Sequence, residues 1–228
     1  MMHYMNRILA LALAIPLLAA CSNHYSPDVG YQSDVKGDKS DRSQPVTLLA
    51  TVKQDTDGSV YLWSKGVRIN PSEPFKFTRQ HRVMAQISYI KGEKPGEAQI
   101  DWMEPIDEGT FTADASVSGQ DGLDINEYSW MSDADDGYLT LLYTTWWGEH
   151  PVHHDFYLVA GLDPDDPYSL ELRHNAHGDP KDVKGEGLIC FDINSLPFTG
   201  EESKILSLKW HNTDGKTLTA KFEFRSRK

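Results

Sequence analysis

Along most of this chain apolar and polar positions alternate singly, the period of a strand with one face buried. After Pro45, Val46, Leu48, Ala50 and Val52 share one face, and Asp57-Gly58 supplies a hairpin turn into Val60 and Leu62. Tyr61 and Trp63 fall on the opposite face of that strand. Lys65-Gly66 turns the chain into Val67 and Ile69. After a loop holding Pro71 and Pro74, the set Val83, Ala85, Ile87 and Tyr89 forms the clearest strand of this half. Ile100 and Trp102 mark another, and Phe111 to Val117 a last one. About five or six short strands in so short a stretch are too few for a sandwich and suit a small, OB-like barrel.

Gly119-Gln120-Asp121-Gly122 punctuates the pattern and serves as the expected domain boundary. Strand candidates beyond it centre on Ile125 to Trp130, Tyr138 to Trp146, Phe156 to Ala160, Tyr168 to Leu172, Leu188 to Ile193, Ile205 to Trp210 and Leu218 to Phe224. Leu206, Leu208 and Trp210 oppose Ser207 and Lys209, and Leu218, Ala220, Phe222 and Phe224 oppose Thr219, Lys221 and Glu223. One buried and one wet face is the pattern of an antiparallel sandwich. Outside the first residues no apolar stripe of helical period occurs. The expected fold is all-β, an OB-like barrel over residues 45–118 followed by an immunoglobulin-like antiparallel β-sandwich over 119–228.

The first residues follow another rule. Arg7 precedes an apolar run from Ile8 to Leu18, too short to span a bilayer as a helix. Leu18-Ala19-Ala20-Cys21 then matches a bacterial lipobox, with cleavage after Ala20 and a diacylglycerol on the Cys21 thiol. Residues 1–20 are thus a lipoprotein signal peptide. Residues 21–44, polar and rich in Ser and Asp, form a lipidated flexible tether. The membrane is reached through that N-terminal lipid, and the expected location is the outer membrane, facing the periplasm or the exterior. The chain has 2 cysteines. With Cys21 lipidated, Cys190 is left without a disulfide partner.

Charge narrows the partners. Of 228 residues, 34 are acidic and 22 basic, for a net charge of -12. Phosphate neutralisation needs a basic patch, so nucleic acid is excluded as a partner.

Candidate chemistry is sparse. His150, His153 and His154 with Asp155 are metal-ligand types, but adjacent His153 and His154 point to opposite faces of a strand, so at most one joins His150. Further ligands would have to come from His174 or His177. The stretch His174 to Asp179 reads as a structural turn, with Arg173 paired to a nearby carboxylate. The Asp-rich turns, Asp55 to Gly58, Asp133 to Gly137 and Asp163 to Asp166, break the EF-hand spacing and read as solvated turns. Cys190, within Leu188-Ile189-Cys190-Phe191, has the surroundings of an unreactive buried thiol. No metal, cofactor or catalytic residue is expected. Trp146 and Trp147, with Tyr61 and Trp63, remain as candidate ligand-binding aromatics. One of the adjacent tryptophans must face away from the other and needs cover.

The lipobox, the stretch Val46 to Val52 leading into Asp57-Gly58-Ser59-Val60-Tyr61-Leu62, and above all Leu170-Glu171-Leu172-Arg173-His174-Asn175-Ala176-His177-Gly178-Asp179-Pro180 resemble the NigD-like lipoproteins of Bacteroidota. Gly187 to Ile193 is similar to a late strand of that family. The resemblance implies an N-terminal OB domain and a C-terminal β-sandwich, with no established activity or ligand. The expected function is that of a non-catalytic cell-envelope lipoprotein binding a protein or glycan partner. The alternatives are a metal-assisted hydrolase working through His150 and His154, and an immunity factor against a bacteriocin.

Overall fold

The computed structural model describes residues 31–32, 43–89, 96–200 and 202–227, and among the described residues every regular element is a strand. No helix there is long and apolar enough to cross a membrane. Ala20 and Cys21, all of 1–20 and most of 21–44 lie outside the described residues.

The first sheet holds β1 (Tyr31–Gln32), β2 (Val46–Gln54), β3 (Val60–Ser64), β4 (Val67–Pro71), β5 (His81–Ser88) and β6 (Glu97–Pro105). β2 pairs antiparallel with β3 and β5, and β3 with β4. β4 runs parallel to β6 through Asn70–Glu97 and Pro71–Ala98. β5 pairs with β6, so the circuit β2-β3-β4-β6-β5 closes on itself. This is OB-like connectivity, and closure removes the free edges that a small sheet would otherwise expose. β1 lies antiparallel on β6.

Alternation fills the interior with Ala50, Val52, Leu62, Ile69, Val83, Ala85 and Ile87, as the apolar pattern predicts. On β6 the register slips. Gln86 faces Trp102 and Ile87 faces Ile100, which leaves Asp101 unmatched. The extra residue reverses the alternation beyond it, so Ile100 and Met103 are buried while Trp102 stays half-buried.

The rest of the chain forms two stacked sheets. One contains β7 (Asp107–Glu108), β9 (Asp124–Ile125), β10 (Asp133–Asp135), β11 (Tyr138–Trp147) and β14 (Val183–Asp192). The other runs in the order β16 (Thr217–Phe224), β15 (Lys204–His211), β13 (Ser169–Asn175), β12 (Asp155–Val159), β8 (Thr110–Thr112). Leu139, Leu141, Ile189 and Phe191 from the first meet Leu158, Leu172, Leu208, Trp210, Phe222 and Phe224 from the second in one core. Leu206, Leu208 and Trp210 are buried as their alternation requires, whereas Leu218, at the start of its strand, is exposed.

Two expected strands are corrected. Phe111 to Val117 is not a barrel strand. β8 spans Thr110–Thr112 and pairs in parallel with β12, and β7 pairs in parallel with β14. Ile125 to Trp130 is a strand only at Asp124–Ile125. Asn126 then turns the chain, donating its amide to the Leu142 carbonyl and accepting from the Ser129 amide. The Ser129 and Ser132 hydroxyls then accept from the Met131 and Leu142 amides, the local side-chain alternative to a ladder, and Tyr128 and Trp130 end up exposed.

Between β7 and β8 the chain crosses from one sheet to the other at Gly109. A methyl group there would overlap the Phe191 ring and lie 3.0 Å from the Phe156 carbonyl oxygen. Phe191 is fully buried and has no room to yield. Gly109→Ala is therefore expected to lower stability by about 1–3 kcal/mol in urea unfolding. An unchanged midpoint would show that the crossing is not tightly packed.

Barrel and sandwich share a packed face. Leu49 of β2 and Ile106 bury against Tyr138 and Cys190, with Met84 and Leu188 beside them. The second face of β2 is thus covered rather than wet. Around this patch the Asp133 to Gly137 turn, expected to be solvated, is clamped by barrel cations. Lys53 Nζ lies 2.7 Å from Asp136 Oδ1, and the Lys65 amide donates to Asp135 Oδ2 at 2.9 Å. The fully buried Arg82 guanidinium lies 3.5 Å from Asp135 and 4.0 Å from Asp133, and donates to Thr51 Oγ1 at 3.1 Å.

Candidate functional site

The four candidate aromatics do not form one surface. Tyr61 and Trp63 stand two apart on β3 and share the outer face of the barrel, both half-buried. Arg68, paired across from Trp63 on β4, lays its guanidinium 3.9 Å above the Tyr61 ring and ion-pairs with Asp55 at 2.7 Å. Lys53 of β2 places Nζ 5.3 Å from the Trp63 ring centre. Trp146 and Trp147 close β11 at the end remote from Tyr138. At the rise of a strand, Trp146 lies about 26 Å along β11 from the barrel contact.

Trp147 packs against the sandwich core, and Trp146, on the other face, has Lys184 Nζ 5.3 Å from its ring. Beneath Trp147 the loops at this end of the sandwich enclose a polar group. His154 stacks on Trp147 with ring centres 4.0 Å apart, and His174 stacks on Phe156 at 4.8 Å. His154 Nδ1 and His174 Nε2 are 2.9 Å apart. His154 Nε2 lies 3.2 Å from Asp179 Oδ2, and His174 Nδ1 lies 3.3 Å from the Asp121 carbonyl oxygen. The His154 and Asp179 side chains have no exposed surface, and His174 is 2% exposed.

Local chain rules build this group. Phe156 pairs with His174 in the β12–β13 ladder, so His154 and His174 extend the inward rows Phe156–Leu158 and Leu170–Leu172 by one step each. The turn after β13 puts His177 and Gly178 at positive φ, 52° and 76°. Asn175 stabilises that turn by accepting from the His177 amide. The turn brings Asp179 back, where its Oδ2 accepts from the Gly148 amide at 2.9 Å. Asp121 Oδ2 accepts from the Ala176 amide at 2.8 Å.

Burial sets the electrostatics. Desolvation lowers the pKa of His154, with Asp179 offsetting part of the effect. His174 falls to about 4, first through burial and then through the charge of His154. Asp179 has the opposite balance. Burial raises its pKa, but the Gly148 amide, His154 and the Val152 amide together bring it below the usual carboxylate range.

The metal alternative finds no site. His153 and His154 do point oppositely, His153 outward to Asp155 at 3.4 Å and His154 inward. His150 is exposed, and His177 meets Asp155 at 2.8 Å on the surface. Among the described residues no group of His, Cys, Asp or Glu is arranged to hold a metal ion. Arg173 pairs with Glu171 at 2.8 Å and also donates to the Ala115 and Val117 carbonyls. Burial pushes the Cys190 thiol far up, which fits an unreactive group. Sequence reading missed the His154–His174 pairing, although the period-two rows on both strands place the two rings on the core face. It had no means of finding Asp179, which arrives through a turn.

The family of NigD-like C-terminal beta sandwich domains matches residues 103–224. Among solved structures, a protein named as toxin-related from Parabacteroides distasonis is 24% identical, covering 80% of this chain and 94% of its own, with a TM-score of 0.65. A NigD-like immunity protein from Bacteroides caccae is 18% identical, covering 77% of this chain and 91% of its own, with a TM-score of 0.55. A protein named as a lipoprotein from Bacteroides fragilis is 14% identical, covering 80% and 99%, with a TM-score of 0.54. At these identities the likeness is one of fold. No curated protein matches the chain.

Proposed function

The chain belongs to the NigD-like family, and from that premise we propose that it is a non-catalytic envelope lipoprotein whose barrel binds a protein partner. In this reading Cys21 carries the lipid that anchors it to the outer membrane, and residues 21–44 hold the folded part away from the bilayer. The observation that carries the proposal is the outer face of β3 and β4. Tyr61, Trp63 and Arg68 meet there half-buried, and Tyr, Trp and Arg are the side chains that dominate binding energy between proteins.

The same geometry favours protein over glycan. The Arg68 guanidinium covers the Tyr61 ring at 3.9 Å, where a sugar would otherwise stack. A net charge of -12 suits a basic partner surface. The neighbours named as an immunity protein and as toxin-related point to a protein toxin as one partner of this class.

The test is capture from envelope extract on immobilised mature chain, comparing wild type, Tyr61→Ala/Arg68→Ala and Trp146→Ala. Wild type and Trp146→Ala are expected to retain the same discrete protein, and the double variant to bind it at least about tenfold more weakly, the cost of losing one interface hot spot. Equal retention by the double variant, or no discrete protein on any bait, overturns the reading.

A further inference from the structure

The buried histidine pair carries an imbalance in its protons. The row runs from Asp179 Oδ2 through His154 and His174 to the Asp121 carbonyl oxygen, with gaps of 3.2, 2.9 and 3.3 Å. Three hydrogen bonds need three protons. An ionised carboxylate and a carbonyl supply none, and each neutral imidazole supplies one. Two neutral rings can therefore fill only two of the three links, whichever tautomers they adopt.

We propose that His154 and His174 together form a one-proton binding site, which closes the third link of this row when it is occupied. The ligand is a single proton shared by two rings. A second added proton finds no acceptor, and it would place two charges 2.9 Å apart inside the fold. The row ties three loops together: Asp121 ends one, Asp179 another, and Gly148 to His154 the third, with the Gly148 amide on Asp179. Proton uptake thus converts a loosely linked junction into a fully bonded one, and turns the Trp147–His154 stack into a cation–π contact.

The charged and titratable groups around the pair are few. Asp179 and Asp121 face it from the two loops, and both favour the added proton. His153 acts on His154 and His177 on His174, both against it. Those two histidines are themselves held by Asp155 on the surface. Trp147 and Phe156, from β11 and β12, present only rings.

The proposal is tested by titrating the intact folded chain, with isotope-labelled histidine followed by NMR and Trp147 followed by fluorescence against Trp147→Phe. The two buried rings are expected to shift together with one shared midpoint, and Trp147 emission to fall at that midpoint. Asp179→Asn sharpens the test without touching either ring. Its amide oxygen can still accept at the Oδ2 position, which His154 Nε2 and the Gly148 amide share, but the carboxylate charge that favours the added proton is gone. In that variant the shared midpoint is expected to drop by at least one pH unit. Separate titration of the rings at ordinary histidine values, or an Asp179→Asn midpoint equal to wild type, overturns the proposal.

Discussion

Arg82→Ala is expected to cost about 3–5 kcal/mol of stability, the usual penalty for removing one partner of a buried ion pair. Arg82 is the pivot of the barrel–sandwich contact. Its side chain has no exposed surface, and its charge is balanced by Asp135 at 3.5 Å and Asp133 at 4.0 Å. Those carboxylates keep some solvent, so much of the loss comes from emptied volume and from the Thr51 hydroxyl left without its donor. Urea unfolding is the check. A companion variant, Arg82→Met with Asp135→Leu, replaces the pair by apolar volume and is expected to recover more than half of the loss. A cost below about 1 kcal/mol for Arg82→Ala would mean that the part-buried Lys53–Asp136 pair and the Lys65 contacts hold the clamp without it.

The second large effect is one of pH. An unfolded histidine titrates near 6.5, whereas His174 in the fold titrates at about 4. As pH falls through 6.5 the unfolded chain takes up a proton that the folded chain refuses, so the equilibrium moves toward unfolding. The stabilisation is complete above pH 6.5 and disappears on the way down to about pH 4. At about 1.4 kcal/mol per pH unit, His174 alone contributes about 3 kcal/mol across that window. His154 and His81, both lowered first by burial, add to the loss in the same direction. Unfolding free energies measured between pH 7.5 and 4 are expected to decline steadily, and His174→Gln to flatten the slope by about one proton. A flat wild-type profile over that range would contradict the burial of these rings.

Much of the architecture was legible in single alternating rows because one side of a sheet is dry and the other wet. Leu206, Leu208 and Trp210 on β15, or Val83, Ala85 and Ile87 on β5, declare their buried face by sequence alone. Legibility failed where both faces are covered. Leu49 and Thr51 on β2 lie on the side expected to be wet, yet both are buried, Leu49 against Tyr138 and Cys190 of the sandwich and Thr51 with the Arg82 guanidinium on its hydroxyl. It failed again at Phe111, whose apolar character says that it is inside but not inside which body. Acidic turns were misread for a related reason, since Asp133, Asp135 and Asp136 look like solvent-facing residues until Lys53, Lys65 and Arg82 arrive from more than fifty positions away. At the histidine pair, strand period places both rings inward. The third member depends on a turn that no period describes.

The crossing at Gly109 also bears on the order in which the molecule can assemble. A chain made from its N-terminus presents every strand of the closed barrel by Pro105. The next two strands are different, because β7 needs Ile189–Cys190 and β8 needs Tyr157–Val159 as partners. Residues 107–112 must therefore wait, with backbone donors and acceptors unmatched, until much of the remaining chain has emerged. The barrel can close early and shelter its own edges, while this short stretch stays the point most open to capture by a chaperone or by another nascent copy.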